Sequence, residues 1–158
     1  MADRRQGRNG WTMFRGNQPT RVDDKGRLKV PAEFKRQLDE RYGNQFYITS
    51  RDGMIAEIYP MQEWQKIEDK LAQVPSFNSA KKKLMGLLSY YGQTAEMDAQ
   101  GRLLIPQILR EKANVVGDVV VFGMQNHLEV ANHEAFKQQM EANPLTDEDA
   151  QSLAGYGL

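Results

Sequence analysis

The chain has 158 residues, with 21 Lys plus Arg against 21 Asp plus Glu, zero formal net charge and no cysteine. That length buries a sizeable core, as one domain or as two small fused ones. The lack of cysteine excludes disulfides, zinc–thiolate sites and cysteine nucleophiles, which suits a reducing cytoplasm. No apolar run approaches the length of a membrane span and no signal-peptide pattern opens the chain.

Residues 1–12, MADRRQGRNGWT, are polar and basic and are expected to be a disordered arm or a non-native start outside the fold. Asp23-Asp24-Lys25-Gly26-Arg27 then reads as a tight turn, because an Asp can hydrogen-bond its own backbone and Gly accepts positive φ. Alternating Leu28-Lys29-Val30 leaves that turn as a strand. Pro31 suits a first helical position, and Ala32, Phe34, Lys35 and Leu38 follow at helical spacing. Residues 45–50 and 54–59 form a hairpin about Arg51-Asp52-Gly53. An amphipathic helix runs from Pro60 to Val74 with Trp64, Ile67 and Leu71 on one face, and Pro75 breaks it. A second helix, capped by Ser76 or Asn78, carries Leu84, Leu87, Leu88 and Tyr91 and ends at Gly92. Residues 115–122 are a β-branched run broken by Gly117-Asp118, and a helix over about 132–142 stops at Pro144. Thr146-Asp147-Glu148-Asp149 opens a short acidic helix or a disordered tail.

The turn occurs twice. Asp23-Asp24-Lys25-Gly26-Arg27-Leu28-Lys29-Val30-Pro31 is answered by Asp98-Ala99-Gln100-Gly101-Arg102-Leu103-Leu104-Ile105-Pro106, in the shared pattern D-x-x-G-R-L-x-[VI]-P at an offset of 75 residues. Two copies in so short a chain indicate a duplicated supersecondary unit. The duplication continues at an offset of 72, with Glu57 matching Glu129 and Trp64 matching Phe136, and a three-residue difference in an intervening loop accounts for the shift. Each half therefore reads as strand–turn–strand–helix–strand–turn–strand–helix.

Charge is unevenly spread. Residues 1–36 hold ten basic side chains against four acidic ones, and residues 127–158 hold one against six. Such asymmetry points to an anionic partner at one end of the molecule. Lys81-Lys82-Lys83 opens a helix against its dipole, as a solvated face or as a DNA or subunit contact. Asp23-Asp24 does not read as a catalytic pair: adjacent strand residues point to opposite faces, and the second copy has Ala99 in place of Asp24. His127 and His133 are the only histidines, and a metal site needs further ligands beside them, so neither a metal nor a cofactor is expected.

With its two D-x-x-x-R motifs, Asp23/Arg27 and Asp98/Arg102, its Met13-Phe14-Arg15-Gly16 opening and its Pro60…Glu63-Trp64 segment, the chain resembles the MraZ family. The resemblance runs from Met13 to roughly Glu141. It implies an α+β fold of two pseudo-symmetric SpoVT-AbrB-type (swapped-hairpin) units with packed helices. The expected limits are 13–75 and 92–142 for the units, 76–91 for a joining helix and 143–158 for an acidic tail. It also implies a cytoplasmic, nucleoid-associated repressor that forms a ring, an octamer or dodecamer. Its targets would be the division and cell-wall gene cluster that includes its own gene, and it would not be an enzyme. Apolar Leu84, Leu87 and Leu88 with Phe77, Tyr90 and Tyr91 would pack between neighbours in the ring.

A two-stranded ribbon fits the major groove of double-stranded DNA, and an Arg on it reaches guanine bidentately. Arg27 and Arg102 are the expected readers of promoter direct repeats. Lys25, Lys29, Arg15 and Arg21 are expected on phosphates, and Asp23 and Asp98 orient the Arg or cap the turn. Gln100 and Leu104 replace Lys25 and Lys29 in the second copy, so the first hairpin should dominate. An AbrB-like antitoxin whose acidic tail masks a toxin is the alternative; a structural ring protein or a hydrolase using Asp23, Asp24 and Asp98 are more distant ones.

Overall fold

The computed structural model describes residues 13–158. The expected arm at 1–12 lies outside the described residues. Strands β1 (Asn17–Val22) and β2 (Arg27–Lys29) lead into helix α1 (Ala32–Arg41), and β3 (Gln45–Thr49) and β4 (Ala56–Pro60) into α2 (Met61–Gln73). After α3 (Ser79–Tyr90), the order repeats as β5 (Gln93–Glu96), β6 (Arg102–Leu104), α4 (Gln107–Ala113), β7 (Gly117–Gly123), β8 (Leu128–Asn132) and α5 (His133–Ala142). Helix α6 (Asp147–Ala154) is the last element. The expected α+β class and duplicated order both hold.

The strands form one antiparallel sheet in the order β5-β3-β4-β8-β7-β1-β2-β6, an almost closed barrel whose two end strands, β5 and β6, are joined by the second D-x-x-G-R turn. Neither half keeps its strands to itself. β1 pairs with β7, β5 with β3, β2 with β6 and β4 with β8, each a pairing between halves. One continuous core follows, with Phe34, Phe46, Leu28, Leu103, Ile105, Leu109, Ile58, Leu128 and Val130 all buried. Each such side chain contributes about 1.5–3 kcal/mol on burial. A smaller cluster of Tyr59, Trp64 and Leu88 lies beneath α2 and α3.

Local chemistry explains most boundaries and corrects some. Asn78, not Ser76, caps α3 by accepting from the Lys81 N–H, and Asn132 caps α5 through the Ala135 N–H. Pro31, Pro60 and Pro106 sit one position before the helix, with ψ of 142°, 142° and 138°, not at the first helical residue. The strand expected to break at Gly117 begins there instead. The three-residue difference between halves lies in a helix, not a loop: α1 has 10 residues and α4 has 7. α4 stops early at Asn114, which is left-handed with φ 53° and so closes the helix. The tail is helical, with a capping box formed by Thr146 and Asp149.

Of the apolar set on the joining helix, Leu88 and Tyr91 are buried within the chain itself. Phe77, Met85, Leu87 and Tyr90 remain exposed, Phe77 at 89%. Among the described residues, no helix is long and apolar enough to cross a membrane.

Candidate nucleic-acid interface

Both turns are built in the same way. Asp23 accepts from the Lys25 and Arg27 N–H groups through Oδ1 (3.0 and 2.9 Å), and Arg27 Nε donates to Oδ2 at 2.8 Å. Asp98 accepts from Gln100 N and Arg102 N, each at 2.9 Å, and from Arg102 Nε at 2.9 Å. Gly26 and Gly101, at φ 86° and 77°, donate to the Asp23 and Asp98 carbonyls and close the turns. One carboxylate thus caps the turn and holds the guanidinium together. The Arg27 N–H first, and then its guanidinium, hold the Asp23 carboxyl below its usual value, and Arg102 does the same to Asp98.

The two turns converge because β2 and β6 pair antiparallel, with Arg27 opposite Leu104, Leu28 opposite Leu103 and Lys29 opposite Arg102. Val30 N donates to the Gly101 carbonyl and Ile105 N to the Gly26 carbonyl, both at 2.9 Å, so each strand also ties to the other's turn. Leu28 and Leu103 are fully buried. By alternation, Arg27, Lys29, Arg102 and Leu104 share the outward face of one short ribbon. Both arginines are partly exposed, with side chains at 31% and 27%.

The other expected contacts divide. Lys25 is exposed at the first turn, and Lys29 Nζ donates to the Gln100 carbonyl at 2.6 Å. Arg21 is on β1 beside the ribbon but pairs with Asp118 at 2.6 Å across β1–β7. Arg15 precedes β1, so a strand of about 20 Å separates it from the Asp23 turn, and it does not join the ribbon.

Two further basic residues lie at the turns, where the sequence analysis gave them no role. The Arg110 guanidinium packs directly over Gly26, and its Nε donates to the Ile105 carbonyl at 3.0 Å. Lys35 covers Gly101, where an added Cβ would meet its Cδ at 2.9 Å. Lys35 and Arg110 stand at the same offset of 75 as the turns, so the repeat itself carried the signal. Each covers the other half's glycine. The second turn is also flanked by Asp39 and Glu96 around a hollow lined by Lys35 and Asp98, whereas the first turn carries Asp24 where the second has Ala99.

A separate polar cluster forms where β4 meets β8. Glu57 stands opposite Glu129, and His127 lies between them with ligating atoms within 4.8 Å of one another. The sequence analysis gave His127 no such neighbours, because only the pairing between halves brings Glu57 there. The cluster is internally partnered: Arg51 lies 3.5 Å from Glu57, the Tyr59 hydroxyl donates to Glu57 at 2.9 Å, and His127 contacts Glu129 at 2.9 Å. Burial, with the Glu57 charge beside it, pushes the Tyr59 hydroxyl well up.

Residues 13–85 and 92–154 match the family described as "MraZ protein, putative antitoxin-like". The chain belongs to the MraZ family. A relative from Acidobacterium capsulatum is 70% identical over 146 residues, covering 92% of this chain and all of the relative. One from Koribacter versatilis is 51% identical over 147 residues, with the same coverage. One from Syntrophobacter fumaroxidans is 34% identical over 154 residues, covering 94% of this chain and 99% of the relative. Each is named "Transcriptional regulator MraZ". As a member of the MraZ family, the chain is a transcriptional regulator and not an enzyme.

Proposed function

We propose that this regulator binds double-stranded DNA sequence-specifically through the outward face of the β2–β6 ribbon. The observation that carries this is the pairing of β2 with β6, which sets Arg27, Lys29 and Arg102 on one exposed face. Arg27 and Arg102 read guanine edges in the major groove, each held at its Nε by Asp23 or Asp98. Lys25, Lys29 and Arg21 contact phosphates, joined by Arg110 beside the first turn; Arg15 meets the backbone only beyond the ribbon. The family resemblance supports a cytoplasmic, nucleoid-associated repressor of the division and cell-wall gene cluster that contains its own gene. It also supports a ring homo-oligomer, whose repeated ribbons engage several short direct repeats and gain affinity by linkage. The units at 13–75 and 92–142, the joining helix at 76–91 and the tail at 143–158 belong to the same proposal.

A gel shift with DNA upstream of the protein's own gene, against an unrelated competitor, tests this. Retarded specific DNA with the wild-type protein and its loss with Arg27→Ala is the expected pattern. Equal retention of both DNAs, or retention unchanged by the substitution, would overturn it. The antitoxin alternative is favoured by one observation, the wholly exposed acidic tail, and a small protein co-purifying in fixed ratio would support it.

A further inference from the structure

Every residue from 143 to 158 is exposed, yet this segment carries Leu145, Leu153, Tyr156 and Leu158, at 80%, 38%, 82% and 87% exposure. It is nonetheless built with care. Thr146 and Asp149 cap α6 reciprocally, and at the far end Leu158 N donates to the Leu153 carbonyl at 3.3 Å, past Gly157 at φ 82°. An eight-residue helix that buries none of its own residues gains nothing from packing, and helices of that length are marginal in water. Elsewhere, α2 and α3 leave a groove of about 290 Å³ floored by Trp64, Leu71, Leu88 and the half-exposed Met85, with Lys81 at its rim. Lys81, Lys82 and Lys83 crowd the first turn of α3, which has no acidic residue to offset them. Three cations at a helix N-terminus oppose its dipole.

We propose that the α2–α3 groove of one copy receives the C-terminal tail of a second copy. This rests on the self-association proposed above and names its contact. Charge selects the occupant: Asp147, Glu148 and Asp149 occupy the first turn of α6, and Lys81 lines the groove, followed in sequence by Lys82 and Lys83, while Glu68, also in its lining, accepts from Trp64 Nε1 at 3.1 Å. Lengths agree as well. From Lys81 to Leu88 is about 10 Å along α3, and from Glu148 to Ala154 about 9 Å along α6, at 1.5 Å per residue. With the acidic turn against the lysines, Leu153, Tyr156 and Leu158 fall over Met85 and Trp64. The tail does not fill its own chain's groove, since all its residues are exposed there. Groove and tail are different surfaces, so the contact is heterologous and propagates from copy to copy, as a ring requires.

The absence of native cysteine makes a direct test possible. Met85→Cys and Leu153→Cys variants of the full chain are mixed and oxidised, with light scattering run in parallel without DNA. A disulfide-linked dimer should form in the mixture and be several-fold scarcer with either variant alone. Adding Lys81→Glu, Lys82→Glu and Lys83→Glu to the Met85→Cys chain should cut the yield several-fold at low salt. Asp147→Lys and Glu148→Lys on the Leu153→Cys chain, which leave the Thr146–Asp149 cap in place, should restore part of it. No linked dimer from the mixture, with assembly intact by light scattering, would overturn the tail contact and leave self-association standing. A chain carrying both cysteines that closes internally as a monomer would also overturn it. A monomeric wild-type protein would sink both proposals. DNA binding is read separately and stands apart from every one of these outcomes.

Discussion

Lys29 and Arg102 face each other directly across the β2–β6 ladder. Like charges so opposed destabilise a strand pair. Each cation is drawn sideways, Lys29 to the Gln100 carbonyl and Arg102 to Asp98, but both remain on the outward face. An approaching phosphate relieves the opposition, so the free protein bears a strain that its proposed ligand removes. Lys29→Leu, which copies the second-half residue Leu104, should raise the thermal midpoint slightly at low salt. It should also weaken binding to all DNA sequences alike and reduce the salt slope by about one unit. A lowered midpoint together with a base-specific loss would contradict the assignment.

Arg27→Ala should weaken binding to the specific site by about 1–3 kcal/mol, with far-ultraviolet circular dichroism unchanged. Arg27 is partly exposed, and the buried residue beneath it is Leu28, so truncation leaves the core intact. Gel-shift affinity equal to wild type would remove Arg27 from recognition.

Acid should disarm both turns together. The folded-state carboxyls of Asp23 and Asp98 titrate below the ordinary 3.8 because each accepts two backbone N–H groups and a guanidinium Nε–H. A depressed folded value means that the turn's contribution is fully present above the ordinary value and is lost as pH falls through the lowered one. Resonances of the Arg27 and Arg102 N–H and Nε–H groups, followed by nuclear magnetic resonance, should move only below pH 3.8. Movement centred above that pH would show that the carboxylates do not hold the arginines in solution.

Local chemistry made the turns readable in advance. D-x-x-G-R dictates an Asp cap, a left-handed Gly and an Arg opening a strand, whereas residue type narrowed the α3 cap only to Ser76 or Asn78 and did not single out the Asn132 cap. What lay hidden is non-local. No periodicity within residues 17–29 says that β2 will lie against β6, yet that pairing creates the Lys29–Arg102 opposition and gathers the cations on one face. The burial of Gly26 under Arg110 depends on the same exchange between halves. The misplaced three-residue difference has another cause: seven- and ten-residue helices look alike until Asn114 is seen to be left-handed.

Alkali should reveal a second buried constraint. The Tyr42 hydroxyl donates to Glu63 at 2.8 Å, and burial first, then the Glu63 carboxylate, pushes it up to about 12. A raised folded value means a contribution fully present below pH 10, lost as pH rises towards 12. In an ultraviolet titration of the six tyrosines, the Tyr42 phenolate should appear late, and Tyr42→Phe should remove part of the delayed signal. A titration curve unchanged by that substitution would count against the contact.

Arg102→Ala should weaken DNA binding less than Arg27→Ala does. Both arginines open a strand and are held by an Asp in the same pose, so neither has a geometric advantage. Their surroundings differ. Lys25 lies in the Arg27 turn and Arg110 covers its glycine, while Lys35, which covers the other turn's glycine, is paired with Asp39 at 2.6 Å. The Arg102 turn has Gln100 in place of Lys25, and Asp39 and Glu96 border the hollow beside Asp98. Phosphate is therefore drawn more strongly to the first turn. The two single variants, compared by fluorescence anisotropy at one salt concentration, decide the matter. A larger loss for Arg102→Ala would mean that the second half leads recognition and that the local charge around each turn does not set its share.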